Sequence, residues 1–448
     1  MTVYTLLLYI SVAALAITLL LGVIPNKMRG LPNRHAKIWY VQYFVGALLI
    51  FSGLVKAVDP LGTAYKMKDY FTEFDTQGLP GMEFMHQYAV EFSVFMLVVE
   101  LVLGACLILG IGQRKTTGAT LLMMLFFTFL TGFNYMTGFQ SKVDGVGFFE
   151  FSKWTSFSSE NIRITDCGCF GDFMKLLPIE TFLKDILFTV LSIILLVRTS
   201  RLNSLISVHG KLGPIHTRRA VASILVVASF YFCLKNYYLD IPMVDFRPFA
   251  VGVDLNKAKE DCANNPTQSV TYLTYRNSNT GEVVEVNSQD LVKPENKKFW
   301  SPNPETGKPD WEVDSDKTRS EVIDPGCTSQ IQYFDNYEVL EQPGYQMLVL
   351  AVDLDKTDKE SFKKIGQLAQ TASESGVTTR CMYNYISHQE LSSFKQEVGN
   401  NYDFTVADEK LIKTIIRSNP GLLLIKDGVV VNKWHGRHIP NMDELGIN

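Results

Sequence analysis

The sequence has few of the residues that build common catalytic or metal centres, with seven histidines and seven cysteines in 448 residues. It contains no Walker loop, no Gly-x-Gly-x-x-Gly fingerprint, no nucleophile elbow and no zinc-ligand signature. No basic run is dense enough to neutralise a nucleic-acid backbone, so we expect no nucleic-acid partner. The hydrophobic content of 47% excludes a disordered or collagen-like chain.

Charge is scarce in only one part of the chain. The overall charged content of 20% is ordinary for a soluble protein. The net charge of −4, however, divides into +5 over residues 1–240 and −9 over residues 241–448. This split excludes a single soluble domain and indicates a membrane-embedded half followed by an acidic soluble half.

Six apolar segments each approach the roughly 20 residues that cross about 30 Å of hydrocarbon. They are Tyr4–Ile24, Lys37–Ala57, Phe84–Gly112, Thr116–Thr137, Ile179–Val197 and Ala220–Tyr237. The first segment lacks the basic start and the A-x-A cleavage site of a signal peptide, so we interpret it as a true span.

The charges between the spans predict their orientation. The first, third and fifth connections carry basic residues and no acid, whereas the second and fourth carry more acids than bases. We therefore expect the odd-numbered connections in the cytoplasm. Both termini then lie on the periplasmic side of a bacterial inner membrane, and the lipid bilayer is a partner of the chain.

Two acidic residues fall inside the third predicted span. Glu100 lies near its middle, where an ionised carboxylate is costly. Glu91 lies nine residues nearer the outer end, on the opposite face of the helix. We expect Lys56, at the outer end of the second span, to form an ion pair with Glu91. These charges are either structural links between helices or, around Glu100, a proton or quinone site.

Most of the cysteines lie outward in this topology, where oxidation is permitted. Cys262 and Cys327 flank a polar insertion and are predicted to form a structural disulfide. Cys106 is expected to fill apolar space in the third span, and Cys381 to lie in a buried strand. Cys233, near the outer end of the sixth span, is a candidate third thiol for the motif in the fourth connection.

That motif is Asp166-Cys167-Gly168-Cys169-Phe170-Gly171-Asp172. The glycine permits the tight backbone that a disulfide between Cys167 and Cys169 needs, and such a small strained ring would be easily reduced. Three interpretations stay open: a redox-active pair, a structural disulfide that orders the loop, and a metal site. Because no histidine or further cysteine lies nearby in the loop, we expect no metal.

Residues 37–198 resemble the DoxX-like/MauE-like four-helix membrane domain. The resemblance rests on Gly46-Ala47-Leu48-Leu49-Ile50-Phe51-Ser52-Gly53-Leu54-Val55-Lys56, Asp59-Pro60-Leu61-Gly62-Thr63-Ala64-Tyr65-Lys66, the motif from Asp166 to Asp172, and Lys175-Leu176. MauE-like proteins are implicated in making disulfides during methylamine dehydrogenase maturation, alongside a periplasmic thioredoxin-like protein. Relatives of DoxX occur in quinone-linked sulfur oxidation. The resemblance thus implies membrane thiol redox chemistry.

The soluble half changes character along its length. Residues 241–345 are polar, with a predicted β-hairpin of Ser269–Tyr275 and Glu282–Val286 and a predicted loop over residues 287–325. From residue 346 the pattern predicts strand, helix, strand, helix, short helix and a hairpin turning at Lys426-Asp427-Gly428.

This order resembles the thioredoxin fold. Asn419-Pro420-Gly421 before an apolar strand matches the family's cis-proline, so Pro420 is expected to be cis. Where that family carries Cys-x-x-Cys, this chain has Asp355-Lys356-Thr357-Asp358. Ordinary thioredoxin catalysis is therefore not expected of this domain alone, and we interpret it as a docking domain.

We predict an α-helical polytopic membrane domain with a DoxX/MauE-like four-helix core and an α/β thioredoxin-like soluble domain. The expected parts are 1–36, a span and cytoplasmic loop; 37–198, the four-helix domain; 199–240, a cytoplasmic loop and the sixth span; 241–345, a periplasmic β-containing insertion; and 346–448, the thioredoxin-like domain.

The favoured function is thiol–disulfide redox chemistry at Cys167 and Cys169 with a periplasmic protein partner, with a quinone as the candidate cofactor. The alternative is a non-catalytic scaffold or accessory subunit of a cell-envelope complex that uses the thioredoxin-like domain for binding. The sequence leaves open whether the chain is an enzyme.

Overall fold

The computed structural model describes most of the chain. The described residues are 3–30, 32–76, 79, 81–137, 168, 170–174, 176–204, 214–265, 268–303, 309–313, 319–324, 327, 330–337, 339–340, 342–400 and 402–447. The N-terminal half of these residues is helical, and the C-terminal half contains two β-sheets.

The helical half forms a bundle. Its helices are α1 (Val3–Thr18), α2 (Ile24–Met28), α3 (Ala36–Val58), α4 (Pro60–Thr76), α5 (Met82–Gln87), α6 (Ala89–Leu109), α7 (Gln113–Thr137), α8 (Pro178–Val197) and α9 (Pro214–Leu234). Two π-helical turns, Leu19–Val23 and Lys235–Leu239, join α1 to α2 and prolong α9.

Five helical stretches in the described residues are long and apolar enough to cross a membrane, judged by length and composition. They are Val3–Met28, Ala36–Val58, Ala89–Leu109, Gln113–Met136 and His216–Leu239. They coincide with five of the six predicted spans. The remaining predicted span, Ile179–Val197, corresponds to α8. Glu180, Lys184 and Asp185 lie near its start, and with these three charges α8 does not qualify as a span by composition.

Small residues bring α3 and α6 into close contact. A Cβ added to Gly104 of α6 would lie 2.9 Å from the Gly46 carbonyl oxygen of α3. A Cβ added to Gly53 would lie 2.9 Å from a Leu101 methyl carbon. Glycines at such positions allow two membrane helices to approach closely. The order of these contacts along the two helices makes α3 and α6 antiparallel.

An antiparallel sheet follows the bundle after α10 (Leu255–Ala263). Its central strand is β1 (Gln268–Asn277), which pairs with β2 (Val283–Asn287), β3 (Trp311–Val313) and β4 (Arg319–Asp324). The predicted hairpin corresponds to β1 and β2. The prediction of a loop over residues 287–325 is wrong, because two short strands in it, β3 and β4, pair with the distant β1.

The C-terminal region, residues 345–447, contains a five-stranded sheet in the order β7-β6-β5-β8-β9. Its elements are β5 (Tyr345–Ala351), α11 (Lys359–Glu374), β6 (Thr378–Tyr383), α12 (His388–Val398), β7 (Asp403–Val406), α13 (Glu409–Ile415), β8 (Gly421–Lys426), β9 (Val429–His435) and α14 (Met442–Leu445). The strands β5, β6 and β7 run parallel, and β8 runs antiparallel to β5 and β9. The central β5 is apolar almost throughout because both of its faces are buried.

Candidate functional site

A cavity lies among α3, α4, α6, α7 and α8 and extends toward the end of the bundle that contacts the C-terminal region, called here the docked end. Its empty volume, including space open to solvent, is about 780 Å³. The lining is largely apolar and includes Leu49, Met96, Met124, Phe127 and Leu130. A mostly apolar cavity with a few polar groups is the usual form of a small-molecule site.

Lys56 of α3 and Glu100 of α6 form a buried ion pair in the cavity wall. Lys56 Nζ lies 2.5 Å from Glu100 Oε2, and the two side chains are 7% and 2% exposed. The prediction that Lys56 pairs with Glu91 is therefore wrong. Gly53 packs against Leu101 and Glu100, so Lys56, one turn later, faces Glu100. Glu91 lies nine residues away in the first turn of α6, about 13 Å along the helix.

A second buried ion pair, which the sequence reasoning missed, lies in α8. Lys184 Nζ contacts Asp185 Oδ1, and the side chains are 8% and 1% exposed. Thr131 Oγ1 of α7 donates a hydrogen bond of 3.1 Å to Asp185 Oδ2. Both charged residues line the cavity. The sequence signal for this pair is that Lys184 and Asp185 lie within a largely apolar stretch of α8. Charged residues in such a stretch usually face the bundle interior and pair with one another.

An aromatic ring lies beside each of the two ammonium groups. Lys56 Nζ is 5.1 Å from the centroid of the Phe127 ring, and Lys184 Nζ is 5.6 Å from that of Phe170. These distances fall within the range of cation–π attraction. Phe170 directly follows Cys169 in the chain, so the residue after the predicted thiol pair contacts the lysine of the α8 ion pair.

The predicted redox pair, Cys167 and Cys169, lies outside the described residues. Gly168 between them is described and has φ of +62°, in the left-handed region that favours glycine. Gly168 lines the cavity, and a Cβ added to it would lie 3.0 Å from Lys66 Cγ. The residue between the two predicted thiols therefore forms part of the cavity wall.

Arg417, just after α13, binds the docked end of the bundle. Its Nε lies 3.0 and 2.8 Å from the two Asp59 carboxylate oxygens, and its Nη2 lies 3.2 Å from Asp172 Oδ2. The guanidinium carbon lies 5.2 Å from the centroid of the Tyr65 ring. Burial opposes the charge, but the neighbouring carboxylates, Asp59 first, hold the pKa of Arg417 above its ordinary value. Arg417 therefore remains a buried cation that joins the C-terminal region to Asp172, the last residue of the Cys-Gly-Cys motif.

The loop after Arg417 contains a cis peptide bond between Asn419 and Pro420. Asn419 Nδ2 donates a hydrogen bond of 2.7 Å to the Asp353 carbonyl oxygen. Asp353 lies just before the thiol-free turn Asp355–Asp358, so this bond ties the proline loop to that turn. Arg417 thus places the cis-proline loop at the docked end.

A second buried cluster holds the segment after α9 against the C-terminal region. Asp245 Oδ1 accepts a hydrogen bond of 2.6 Å from Arg247 Nε, and Asp245 Oδ2 accepts one of 2.9 Å from Lys433 Nζ. Lys433 also donates to the Ile415 carbonyl oxygen at 2.7 Å. Burial, followed by the nearby Arg247 charge, lowers the pKa of Lys433 to about 7. One carboxylate is therefore shared by two buried basic groups.

None of the other cysteines in the described residues lines the cavity. Cys262 and Cys327 form a disulfide with their Cα atoms 5.0 Å apart. Cys106, Cys233 and Cys381 are buried free thiols, and burial raises the pKa of Cys381. Cys233 packs in a cluster with Ala57, Val94, Leu97 and Leu101. Within the described residues no group of three or more His, Cys, Asp or Glu is placed to hold a metal ion.

The helices that carry the Lys56–Glu100 pair and Asp59 are the part of the chain that a known family matches. Residues 34–143 match the family model of the methylamine utilisation protein MauE. This finding confirms the MauE-like part of the predicted resemblance over these residues, called here the MauE-like region. No curated protein and no solved structure matches the chain.

The MauE-like region contains only part of the site. Lys56, Asp59, Glu100 and Thr131 lie inside it, on α3 to α7 or the bend between α3 and α4. Cys167, Cys169, the Lys184–Asp185 pair and Arg417 lie beyond its end. The site therefore combines a MauE-like bundle with residues from α8 and the C-terminal region that the family match does not cover.

Proposed function

We propose that the chain is a thiol–disulfide redox protein of a bacterial inner membrane, in which Cys167 and Cys169 exchange with the thiols of a periplasmic protein. The contact of Arg417 with both Asp59 and Asp172 carries this proposal. Asp172 belongs to the Cys-Gly-Cys motif, and Arg417 precedes the cis-proline by three residues. Asp172, at the end of the motif, and Arg417, at the start of the proline loop, therefore support an arrangement in which the motif lies near that loop.

The topology of the C-terminal region supports a thioredoxin-like assignment. A parallel β5-α11-β6 unit is followed by an antiparallel β8-β9 hairpin, and the cis proline directly precedes β8. Because the turn Asp355–Asp358 has no thiol, we propose that this domain presents substrate while the bundle supplies the reactive cysteines.

We propose that α8 is the sixth span, so that the chain has both termini and the C-terminal region in the periplasm. Two of its three charges, on Lys184 and Asp185, are buried against each other. The side chains exposed on the rest of the helix are apolar: Leu183, Ile186, Leu187, Val190, Ile193, Ile194 and Val197. Such a surface is suited to lipid, and the connecting charges support the orientation.

Substrates and the electron acceptor follow from the same proposal. The family that matches residues 34–143 is named for methylamine utilisation, so we propose an accessory role in which the substrate is a partner protein that needs disulfides. Regeneration of the oxidised cysteines needs an electron acceptor, and a membrane quinone is the acceptor that a protein of the bilayer can reach.

Thiol trapping in cells tests the redox function. Wild type, Cys167→Ser and Cys169→Ser are treated with a mass-adding maleimide before and after a pulse of reductant. We expect the wild-type pair to be reduced by the pulse and reoxidised after it, and at least one single variant to accumulate a mixed disulfide with a partner. Cys381→Ser is the matched control and should trap nothing, because Cys381 is fully buried. A pair that stays oxidised throughout, with no mixed disulfide, would exclude the redox function.

A non-catalytic scaffold is the second candidate, and the thiol-free turn Asp355–Asp358 favours it. A scaffold should co-purify with a stoichiometric partner in mild detergent. That partner should remain bound to the double variant Cys167→Ser/Cys169→Ser, since no covalent exchange is needed. A partner captured only through a mixed disulfide supports the redox function instead.

A further inference from the structure

The cavity contains more polar chemistry than helix packing requires. Two lysine–carboxylate pairs, Lys56–Glu100 and Lys184–Asp185, line it from different helices. Burying an ion pair among apolar side chains is often no more stabilising than filling the same space with hydrocarbon. Charges at this position in a membrane bundle are therefore better explained by a ligand or a transported proton than by stability.

A third polar group in the lining has an unused hydrogen-bonding capacity. Thr63 of α4 is 9% exposed, and its hydroxyl has no hydrogen-bond partner among the described residues. The same residue lines the cavity. A buried hydroxyl without a partner is uncommon, because desolvating it without compensation is costly. It is therefore available to a molecule in the cavity.

The charge balance of the cavity selects the chemistry of that molecule. The lining contains three lysines and two carboxylates. Lys56 and Lys184 pair with Glu100 and Asp185, and Lys66 Nζ lies 4.0 Å from Asp69 Oδ2 just outside the lining. Because each lysine has a carboxylate nearby, a neutral ligand is favoured over an anionic lipid or a fatty acid. The ammonium groups are donors and the Thr63 hydroxyl can donate, so carbonyl oxygens are suitable acceptors for them. The lining by Phe127, Met96 and Met124 suits a flat ring.

We propose that this cavity binds the head group of a membrane quinone, with Lys56, Lys184 and Thr63 placed to donate hydrogen bonds to its carbonyl oxygens. The redox role of the bound quinone rests on the proposed function; its binding does not. Joining two thiols in one disulfide releases two electrons and two protons, and a quinone that takes up both becomes a quinol. Gly168 lies in the same cavity wall, so the residue between the two cysteines in the sequence would lie beside the bound quinone.

Photolabelling tests the binding. The full chain in lipid nanodiscs is labelled with an azidoquinone in competition with decylubiquinone, and the labelled peptides are mapped by mass spectrometry. We expect label on α3, α4, α6, α7 or α8 at the cavity residues, displaced by decylubiquinone. Label confined to lipid-facing residues, or label that decylubiquinone does not displace, would overturn the proposal.

Two variants and a matched control sharpen the test. Met124→Trp fills the cavity from α7, whereas Leu122→Trp adds the same ring at a position 70% exposed on the same helix. We expect at least tenfold weaker competition by decylubiquinone in Met124→Trp and no change in Leu122→Trp. Thr63→Val keeps the side-chain volume and removes only the hydroxyl, so a folded protein should show affinity reduced several-fold. Unchanged affinity in both Met124→Trp and Thr63→Val would refute the site.

The double variant Cys167→Ser/Cys169→Ser separates this inference from the proposed function. We expect it to bind decylubiquinone as the wild type does but to form no quinol when a reduced thiol substrate is supplied. Wild type that binds in the cavity but forms no quinol would retain the site and contradict the quinone-linked function. Wild type that exchanges thiols but does not bind in the cavity would retain the thiol function and overturn the site.

Discussion

Arg417 and Asp59 are 358 positions apart in the chain and are joined by contacts of 2.8 and 3.0 Å from one guanidinium nitrogen to both carboxylate oxygens. The Arg417 side chain is 6% exposed and that of Asp59 is 12% exposed. A pair this well shielded from water is less screened by salt than a surface ion pair. It therefore acts as a specific joint between the bundle and the C-terminal region.

We predict that Arg417→Gln loosens this joint. The change leaves Asp59 buried without its charge partner, and breaking a buried pair in this way typically costs about 3–5 kcal/mol. Hydrogen exchange of the full chain in detergent should become faster in peptides covering residues 59–66 and 409–420. Arg437→Gln is the control, because Arg437 is exposed and lies over the Tyr238 ring at 4.0 Å. Equal exchange in both variants would show that the C-terminal region is held elsewhere.

The structure agrees with the sequence where the signal is local and strong. Lipid requires long apolar runs, so hydropathy is enough to locate five candidate spans. Local patterns also predict β5 and α11. The strand is a short apolar run, and the helix has apolar residues at helical spacing, including Phe362, Ile365 and Leu368.

The missed features depend on distant partners. The strand β7 has only four residues and was not predicted, because it is defined by pairing with β6 rather than by its own pattern. Hydropathy predicts that Lys56 lies at a height similar to that of Glu91, but it does not show which face of α6 Lys56 meets, and in the structure that face carries Glu100. The Arg417 contacts, across hundreds of residues, carry no local signal at all.

We predict that the Cys262–Cys327 disulfide contributes substantially to the stability of the C-terminal half of the chain. It closes a loop with a sequence separation of 65 residues, for which chain-entropy estimates give about 4 kcal/mol. The variant Cys262→Ala/Cys327→Ala should unfold at a lower temperature than the wild type. Reductant should lower the wild-type midpoint toward that of the variant and leave the variant unchanged. A wild-type midpoint insensitive to complete reduction would contradict the prediction.

We predict that the α8 ion pair tolerates joint removal better than removal of one member. Lys184→Met leaves Asp185 buried with the Thr131 hydroxyl as its remaining hydrogen-bond donor on α7, and an unpaired buried charge is strongly destabilising. Lys184→Met/Asp185→Leu removes both charges, so its midpoint of thermal unfolding should lie above that of the single variant. Leu183→Ala, at a position 57% exposed on α8, is the control for truncation. A double variant less stable than the single one would show that Asp185 is stabilising without its lysine.

We predict that Lys433 makes the C-terminal region more stable as the pH rises above 7. Burial and then the Arg247 charge lower the pKa of Lys433 to about 7 in the folded chain, against about 10.4 when unfolded. Between these values the unfolded state binds one more proton, so stability rises with pH, on the order of 1 kcal/mol per pH unit. Below pH 7 both states are protonated, and Lys433 adds no slope.

The measurement compares thermal unfolding midpoints of the full chain with those of Lys433→Met at pH 6, 7, 8 and 9. The wild-type midpoint minus the variant midpoint should stay constant from pH 6 to 7 and increase from pH 7 to 9. It increases because the methionine of the variant has no titrating group. Asp245 adds no pH dependence between pH 6 and 9. Burial raises the pKa of Asp245, but Arg247 and Lys433 outweigh burial and hold that pKa below its ordinary value. Lys426→Met, at an exposed position at the end of β8, should run parallel to the wild type. A difference that stays constant from pH 7 to 9 would mean that Lys433 keeps its proton and its charge in the folded protein.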